Sequence, residues 1–137
     1  MTKHRVYLGL GSNLGDRERN LLEAIRLIVE QVGEVTRQSS FIETEPWGFQ
    51  SDNSFLNAVV LCETDKTPRE VLQLTQRIER SMGRRSKTTS GYSDRPIDID
   101  ILLYDDLTVS EPDLKIPHPL MCERDFVMIP LSEIKED

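Results

Sequence analysis

The run Arg95-Pro96-Ile97-Asp98-Ile99-Asp100-Ile101-Leu102-Leu103-Tyr104 sets two carboxylates two residues apart inside an apolar, β-branched segment. Successive side chains of an extended chain face opposite ways. Ile97, Ile99, Ile101 and Leu103 therefore share one buried face, and Asp98 and Asp100 project together from the other. At a rise of roughly 3.3 Å per residue the two acids stand about 6 to 7 Å apart at their bases. Asp is depleted in strands, so two on one face need a reason. A divalent cation supplies one: Mg²⁺ in phosphoryl-transfer sites is held by one or two carboxylates, with its other positions left to water and phosphate oxygens. The competing reading is a strand with one solvated face, where both acids simply meet water.

A second feature lies just upstream. Between Arg77 and Arg95 stand Arg77, Arg80, Arg84, Arg85, Lys87 and Arg95 against Glu79 and Asp94, so this segment is net +4 in a chain of net charge -7. A basic arm beside paired acids suits a metal-bound polyphosphate, whereas a nucleic-acid duplex calls for a whole basic face. An ordinary solvated loop after a helix C-terminus is the alternative. Ser, Thr and Gly fill residues 84 to 95, and together with the positive charge they read as a mobile lid.

The elements around these residues follow from spacing. Arg5 to Leu10 reads as a first strand, and Gly9-Leu10-Gly11-Ser12-Asn13-Leu14-Gly15-Asp16 as a turn into a helix capped by Asp16. The Gly-x-Gly pair lacks both the third glycine of a dinucleotide fingerprint and the Gly-Lys-Ser/Thr ending of a P-loop, so it reads as structural in preference to a ligand site. Leu21, Leu22, Ile25, Ile28, Val29 and Val32 mark the apolar stripe of that helix, and Gly33 its end. Val35 to Thr44 and Phe55 to Glu63 are the next two strands, joined by a loop that carries Trp47. Thr67-Pro68-Arg69-Glu70 has the pattern of a capping box, with Val71, Leu74, Thr75, Ile78 and Met82 on one face behind it and Gly83 as the stop. Beyond Tyr104, Asp105-Asp106 turns the chain towards Ile116-Pro117-His118-Pro119, where two prolines restrict His118. The order β-α-β-β-α-β is that of an α+β, ferredoxin-like sandwich, with two helices on one face of an antiparallel sheet.

The 137 residues suit one domain able to bury its own core. Apolar residues amount to 37% and charged ones to 30%, and every apolar run is far shorter than the roughly 18 to 20 residues of a membrane span. The expectation is a soluble, cytoplasmic protein without a secretory signal, without nucleic-acid or membrane partners, and a monomer or weak homo-oligomer. Cys62 sits in an apolar run and reads as a small buried thiol; no disulfide is implied.

Gly11-Ser12-Asn13-Leu14, Phe55-Leu56-Asn57, Thr75-Gln76-Arg77-Ile78-Glu79, Arg95-x-x-Asp98-x-Asp100 and Pro117-His118 followed by Arg124-x-Phe126 occur in one order along the chain. Together they resemble the 6-hydroxymethyl-7,8-dihydropterin pyrophosphokinases, folate-pathway enzymes that move the terminal diphosphate of ATP onto a pterin alcohol and release AMP. The resemblance runs from about Val6 to Leu131, and Arg-x-x-Asp-x-Asp is its most specific part. It implies that Asp98 and Asp100 bind two Mg²⁺ ions bridging the triphosphate, and that Arg84 and Arg95 contact phosphate as part of the catalytic set. It further places Glu79, Tyr92, Ile101, His118 and Arg124 around ATP. The pterin is expected between the rings of Phe55 and Phe126, with Asn57, the backbone near Thr44, and Trp47 completing its pocket.

On the residues alone, Phe55 and Phe126 could equally be core aromatics, Asn57 a satisfied buried amide, and His118 a brace for a proline turn. Two departures accompany the resemblance. Ser86 stands where the family has a second arginine, with Arg85 and Lys87 beside it. The chain also stops at Asp137, where the family commonly continues. The rival functions are a metal-dependent phosphohydrolase, which would need a base to activate water, and a non-catalytic ferredoxin-like binding module. An RNA-binding version would need exposed aromatics on its strands, and these are not evident.

Overall fold

The computed structural model describes residues 3–44, 54–83 and 96–135. The expectations placed on Trp47, Arg84, Arg85, Ser86, Lys87, Tyr92 and Arg95, the lid among them, lie outside the described residues. His4–Ser12 forms β1, the inner strand on which the sheet is built. It pairs antiparallel with β4 (Phe55–Thr64) on one side and with β5 (Asp98–Tyr104) on the other. The span expected as one strand, Val35 to Thr44, is divided into β2 (Glu34–Gln38) and β3 (Ile42–Thr44), both paired with the outer side of β4. At the break, the Ser39 hydroxyl accepts the amide of Val59 at 2.8 Å and holds the corner to β4. The resulting order, β2-β4-β1-β5 with β3 beside β2's position on β4, is the ferredoxin-like arrangement.

Two helices cover one face. α1 (Arg17–Gln31) is capped by Asp16, whose side chain accepts the Arg19 amide at 3.1 Å. Its buried stripe is Leu21, Ala24 and Ile28, whereas Leu22 and Val29, expected in that stripe, point outward and are 50% and 53% exposed. Gly33 does not end α1 through a left-handed turn, as a stop glycine commonly does. A Cβ at Gly33 would stand 2.1 Å from the Glu63 carbonyl oxygen, so glycine is required there by close approach of β4. α2 (Pro68–Ser81) carries the expected capping box: the Thr67 hydroxyl accepts the Glu70 amide at 3.2 Å, and the Glu70 carboxylate accepts the Thr67 amide at 2.9 Å. Leu21, Ala24, Ile28, Val71 and Ile78 pack on Leu8, Leu10, Ala58, Val60, Ile99 and Ile101. Cys62 lies in this core, and burial pushes its thiol up to about 12.

The opposite face carries a layer the two-helix reading did not contain. After β6 (Val109–Glu111) and β7 (Leu114–Ile116), which pair as a hairpin, and a 3-10 turn at Met121–Glu123, the chain forms α3 (Asp125–Ile134). Val127, Leu131 and Ile134 of α3 pack on Tyr7, Val59, Leu61 and Leu102. Pro130 inside α3 is the residue that disguises it, because proline removes an amide from the helical ladder. The alternation of β5 also changes midway. The register against β1 slips between Tyr7 and Leu8, so Leu102 becomes a bulge residue. Ile97, Ile99 and Ile101 share the α1/α2 face as expected, but beyond the bulge Tyr104 takes that side and Leu103 packs towards α3.

Candidate active site

Across the sheet, Gly11 of β1 stands opposite Asn57 on one side and Asp98 on the other. Gly9 stands likewise between Val59 and Asp100. Directly paired residues present their side chains to the same face. Asn57, Asp98 and Asp100 therefore share the face that α3 covers farther along, and the space that a side chain at Gly9 would fill is taken by Leu102. The Gly-x-Gly pair thus belongs inside a strand, not in the strand-to-helix turn expected for it. A Cβ on Gly11 would stand 2.9 Å from the Asn57 carboxamide oxygen and 3.4 Å from the Phe55 ring, so its absence makes room for both groups.

On the Asn57 side, its carboxamide nitrogen donates to the Thr44 hydroxyl at 2.7 Å, and Thr44 pairs with Phe55 across β3 and β4. Thr44, Phe55 and Asn57 are thereby brought together. Asn57 is 4% exposed and Phe55 half-buried. Arg17 of α1 steadies both flanks of this corner, donating to the Ser54 carbonyl at 2.9 Å and pairing with Glu43. Phe126, in the first turn of α3, packs on the second core, and the buried Arg124 guanidinium stacks over its ring at 5.6 Å.

On the acid side, Asp98 and Asp100 are half-buried. His118 comes from beyond the hairpin. Its amide donates to the Leu102 carbonyl at 3.0 Å, and its Nδ1 accepts the Leu120 amide at 3.3 Å. The neutral ring then carries its proton on Nε2, which faces an Asp100 oxygen at 3.9 Å. Asp100 and His118 open onto a cleft of about 230 Å³ whose apolar walls are Leu72 of α2, Ile101 of β5 and Leu114 of β7, with Lys115 at its rim. Arg69 of α2 holds the hairpin in place, pairing with Asp113 at 2.8 Å and with Glu111. Leu72, Leu114 and Lys115 were missed by sequence reasoning, because a hairpin folding back over β5 leaves no local signal. Glu79 is 4% exposed, and its carboxylate accepts the Ile99 amide at 2.7 Å.

Among the described residues no cluster of three His, Cys, Asp or Glu side chains forms a metal cage. Two neighbouring carboxylates are nonetheless the donor set Mg²⁺ accepts when substrate phosphate and water complete its shell. The site thus pairs hard oxygens and a partly apolar cleft at one edge with an amide and aromatic corner at the other.

The model of the 7,8-dihydro-6-hydroxymethylpterin-pyrophosphokinase (HPPK) family matches residues 7–136. The chain belongs to this family. A 2-amino-4-hydroxy-6-hydroxymethyldihydropteridine pyrophosphokinase of Porphyromonas gingivalis is 51% identical over 131 residues, covering 94% of this chain and 89% of the relative. Its Aquifex aeolicus counterpart is 42% identical, covering 95% and 79%. Among solved structures, an HPPK-DHPS in complex with substrates aligns with a TM-score of 0.77 at 15% identity, over 98% of this chain and 40% of that one. The wild-type HPPK-DHPS of Plasmodium falciparum with pteroate gives 0.73 at 18%, over 96% and 38%. At such identities the structures bear on the fold alone, and they agree with the ferredoxin-like α+β architecture. As an HPPK, the chain transfers diphosphate from ATP to the hydroxymethyl group of 6-hydroxymethyl-7,8-dihydropterin in folate biosynthesis. Neither the phosphohydrolase nor the binding-module reading survives this HPPK membership. No helix among the described residues is long and apolar enough to cross a membrane.

Proposed function

We propose that the sheet row Asp98-Gly11-Asn57 is the reaction axis of this HPPK, with Mg²⁺-bound ATP on the acid side and the pterin on the amide side. The observation that carries this reading is the register: Gly11 faces Asn57 and Asp98 at once, so both half-sites share one face across a single strand. Asp98 and Asp100 hold the Mg²⁺, two ions in this reading, which when bound neutralises charge building on the phosphate oxygens. Leu72, Ile101 and Leu114 sandwich the adenine, a flat heterocycle suited to their apolar slot. His118 directs its Nε2 proton towards the phosphates beside Asp100, and Arg124 adds a fixed cation that Phe126 stacks in place. Asn57 and the Thr44 backbone read the amide edge of the pterin, with Phe55 and Phe126 on its faces.

In the reaction the pterin hydroxyl oxygen loses its proton and bonds to the β-phosphorus while the bond from that phosphorus to the α–β bridging oxygen breaks, and AMP leaves with that oxygen. The protein's part is to hold the two substrates in line across β1 and to keep water out. Arg84 and Arg95 are assigned to phosphate contact, and Tyr92 and Trp47 to nucleotide and pterin, on the family resemblance. A single domain across 1–137, a monomeric or weakly associating state and a cytoplasmic location belong to the same proposal. Incubation with ATP, Mg²⁺ and the reduced pterin tests it by product: pterin diphosphate with AMP, lost when EDTA replaces Mg²⁺. Full turnover in EDTA would refute the metal assignment.

A further inference from the structure

A carboxylate buried to 4% exposure is costly unless it is well bonded, and Glu79 is such a group, in the last turn of α2. Its oxygen accepts at 2.7 Å the amide of Ile99, the residue between Asp98 and Asp100. β5 is the last strand on its side of the described sheet, so an outward amide there has no neighbouring strand to bond. Glu79 takes the place of that strand at the one residue whose backbone links the two acids. The cleft takes Leu72 from α2 into its lining, but Glu79 is not among its described lining residues.

We propose that Glu79 is a positioning residue that sets the spacing and aim of Asp98 and Asp100 through the Ile99 backbone, rather than a contact to the nucleotide. The inference rests on the reading of those aspartates as metal ligands. With Glu79 in place, β5 is pinned between β1 and α2, and both carboxylates project at a fixed pleat. Without it, the Ile99 amide loses its acceptor, and the acids lose their common aim although each is still present.

Three measurements on E79A, E79Q and D98A, each beside the parent protein, test this: Ile99 amide exchange, the Mg²⁺ concentration that half-saturates turnover, and calorimetric affinity for a non-hydrolysable ATP analogue in EDTA and in Mg²⁺. E79A is expected to exchange the Ile99 amide faster and to need about 10- to 100-fold more Mg²⁺, as residues that orient metal ligands commonly do. Its affinity for the metal-free analogue should stay at the parental value. E79Q retains an acceptor oxygen and should lie within about threefold of the parent in all three. Parental Mg²⁺ dependence in E79A, lost affinity for the metal-free analogue, or E79Q as impaired as E79A would each overturn the proposal. If E79A does not fold, E79Q and its Ile99 exchange decide on the same terms. A D98A protein with parental Mg²⁺ dependence would instead remove the metal reading itself, whereas an impaired D98A beside an unimpaired E79A would remove only the role of Glu79.

Discussion

In the proposed site Asp98 and Asp100 are the metal ligands, whereas Ile97, Ile99 and Ile101 pack in the core, and the alternation of β5 lets one set be changed without the other. Replacing either acid by alanine should leave circular dichroism at the parental spectrum and cut turnover by roughly a thousandfold or more, since each 1.4 kcal/mol lost is a factor of ten. Near-parental rates in either variant would sink the assignment. Asn57 works differently. It is already bonded to the Thr44 hydroxyl through its nitrogen, which fixes the orientation of its carboxamide. Asn57→Ala should weaken pterin binding by about 1 to 3 kcal/mol, because a buried polar edge of the ligand then loses its partner. ATP binding should change far less. Separate calorimetric titrations give both numbers, and equal losses would make Asn57 scaffold.

Among the elements, α2 joins the cleft to the acid-bearing strand. Its first turn is closed by the reciprocal Thr67 and Glu70 bonds, its middle presents Leu72 to the cleft, and its last turn sends Glu79 to β5. Thr67→Ala removes one side of the capping box and should cost about 1 kcal/mol in urea unfolding, with the denaturant slope unchanged. A loss below about 0.3 kcal/mol would mean that the cap is redundant with the packing of Val71 and Ile78. The hairpin β6-β7 shows the same dependence on distant partners. Leu114 and Ile116 of β7 seat it in the core under α1 and α2, and Arg69 of α2 braces it at the surface through Asp113 and Glu111.

For the whole molecule, the third layer matters most. α3 is fastened to the β2-β3 corner by Glu133, which accepts the Ser40 amide at 2.8 Å and the Ser40 hydroxyl at 2.7 Å. These bonds, the amide first, lower the Glu133 carboxyl below its ordinary 4.5. The folded protein thus binds this proton less readily than the unfolded chain. The contribution is present above about pH 4.5 and is lost as pH falls through the lowered folded value. Glu133→Gln should therefore show a shallower fall of Tm below about pH 4.5 than the parent, with little difference in slope near neutrality. Parallel curves across thermal melts from acid to neutral pH would show that this tether does not couple to folding.

Much of this was legible in the chain because it depends on neighbours within a few residues. The caps at Asp16 and Thr67, the alternation from Ile97 to Ile101, the burial of Cys62 and the βαββαβ order all follow from short-range sterics and period. The motifs from Gly11 to Phe126 also carried the family. The tertiary structure decided what depends on partners far away in sequence. The Leu102 bulge comes from register against β1, the requirement for Gly33 from the Glu63 carbonyl, and the outward turn of Leu22 and Val29 from the limited width of α1's contact with the sheet. α3 escaped notice because Pro130 argues locally against a helix, yet the uncovered apolar face of Tyr7, Val59, Leu61 and Leu102 outweighs that local cost. That Gly9 and Gly11 stand between Asn57 on one side and the aspartates on the other was decided by the pairing of β4 and β5 with β1, a relation between strands that no single strand contains.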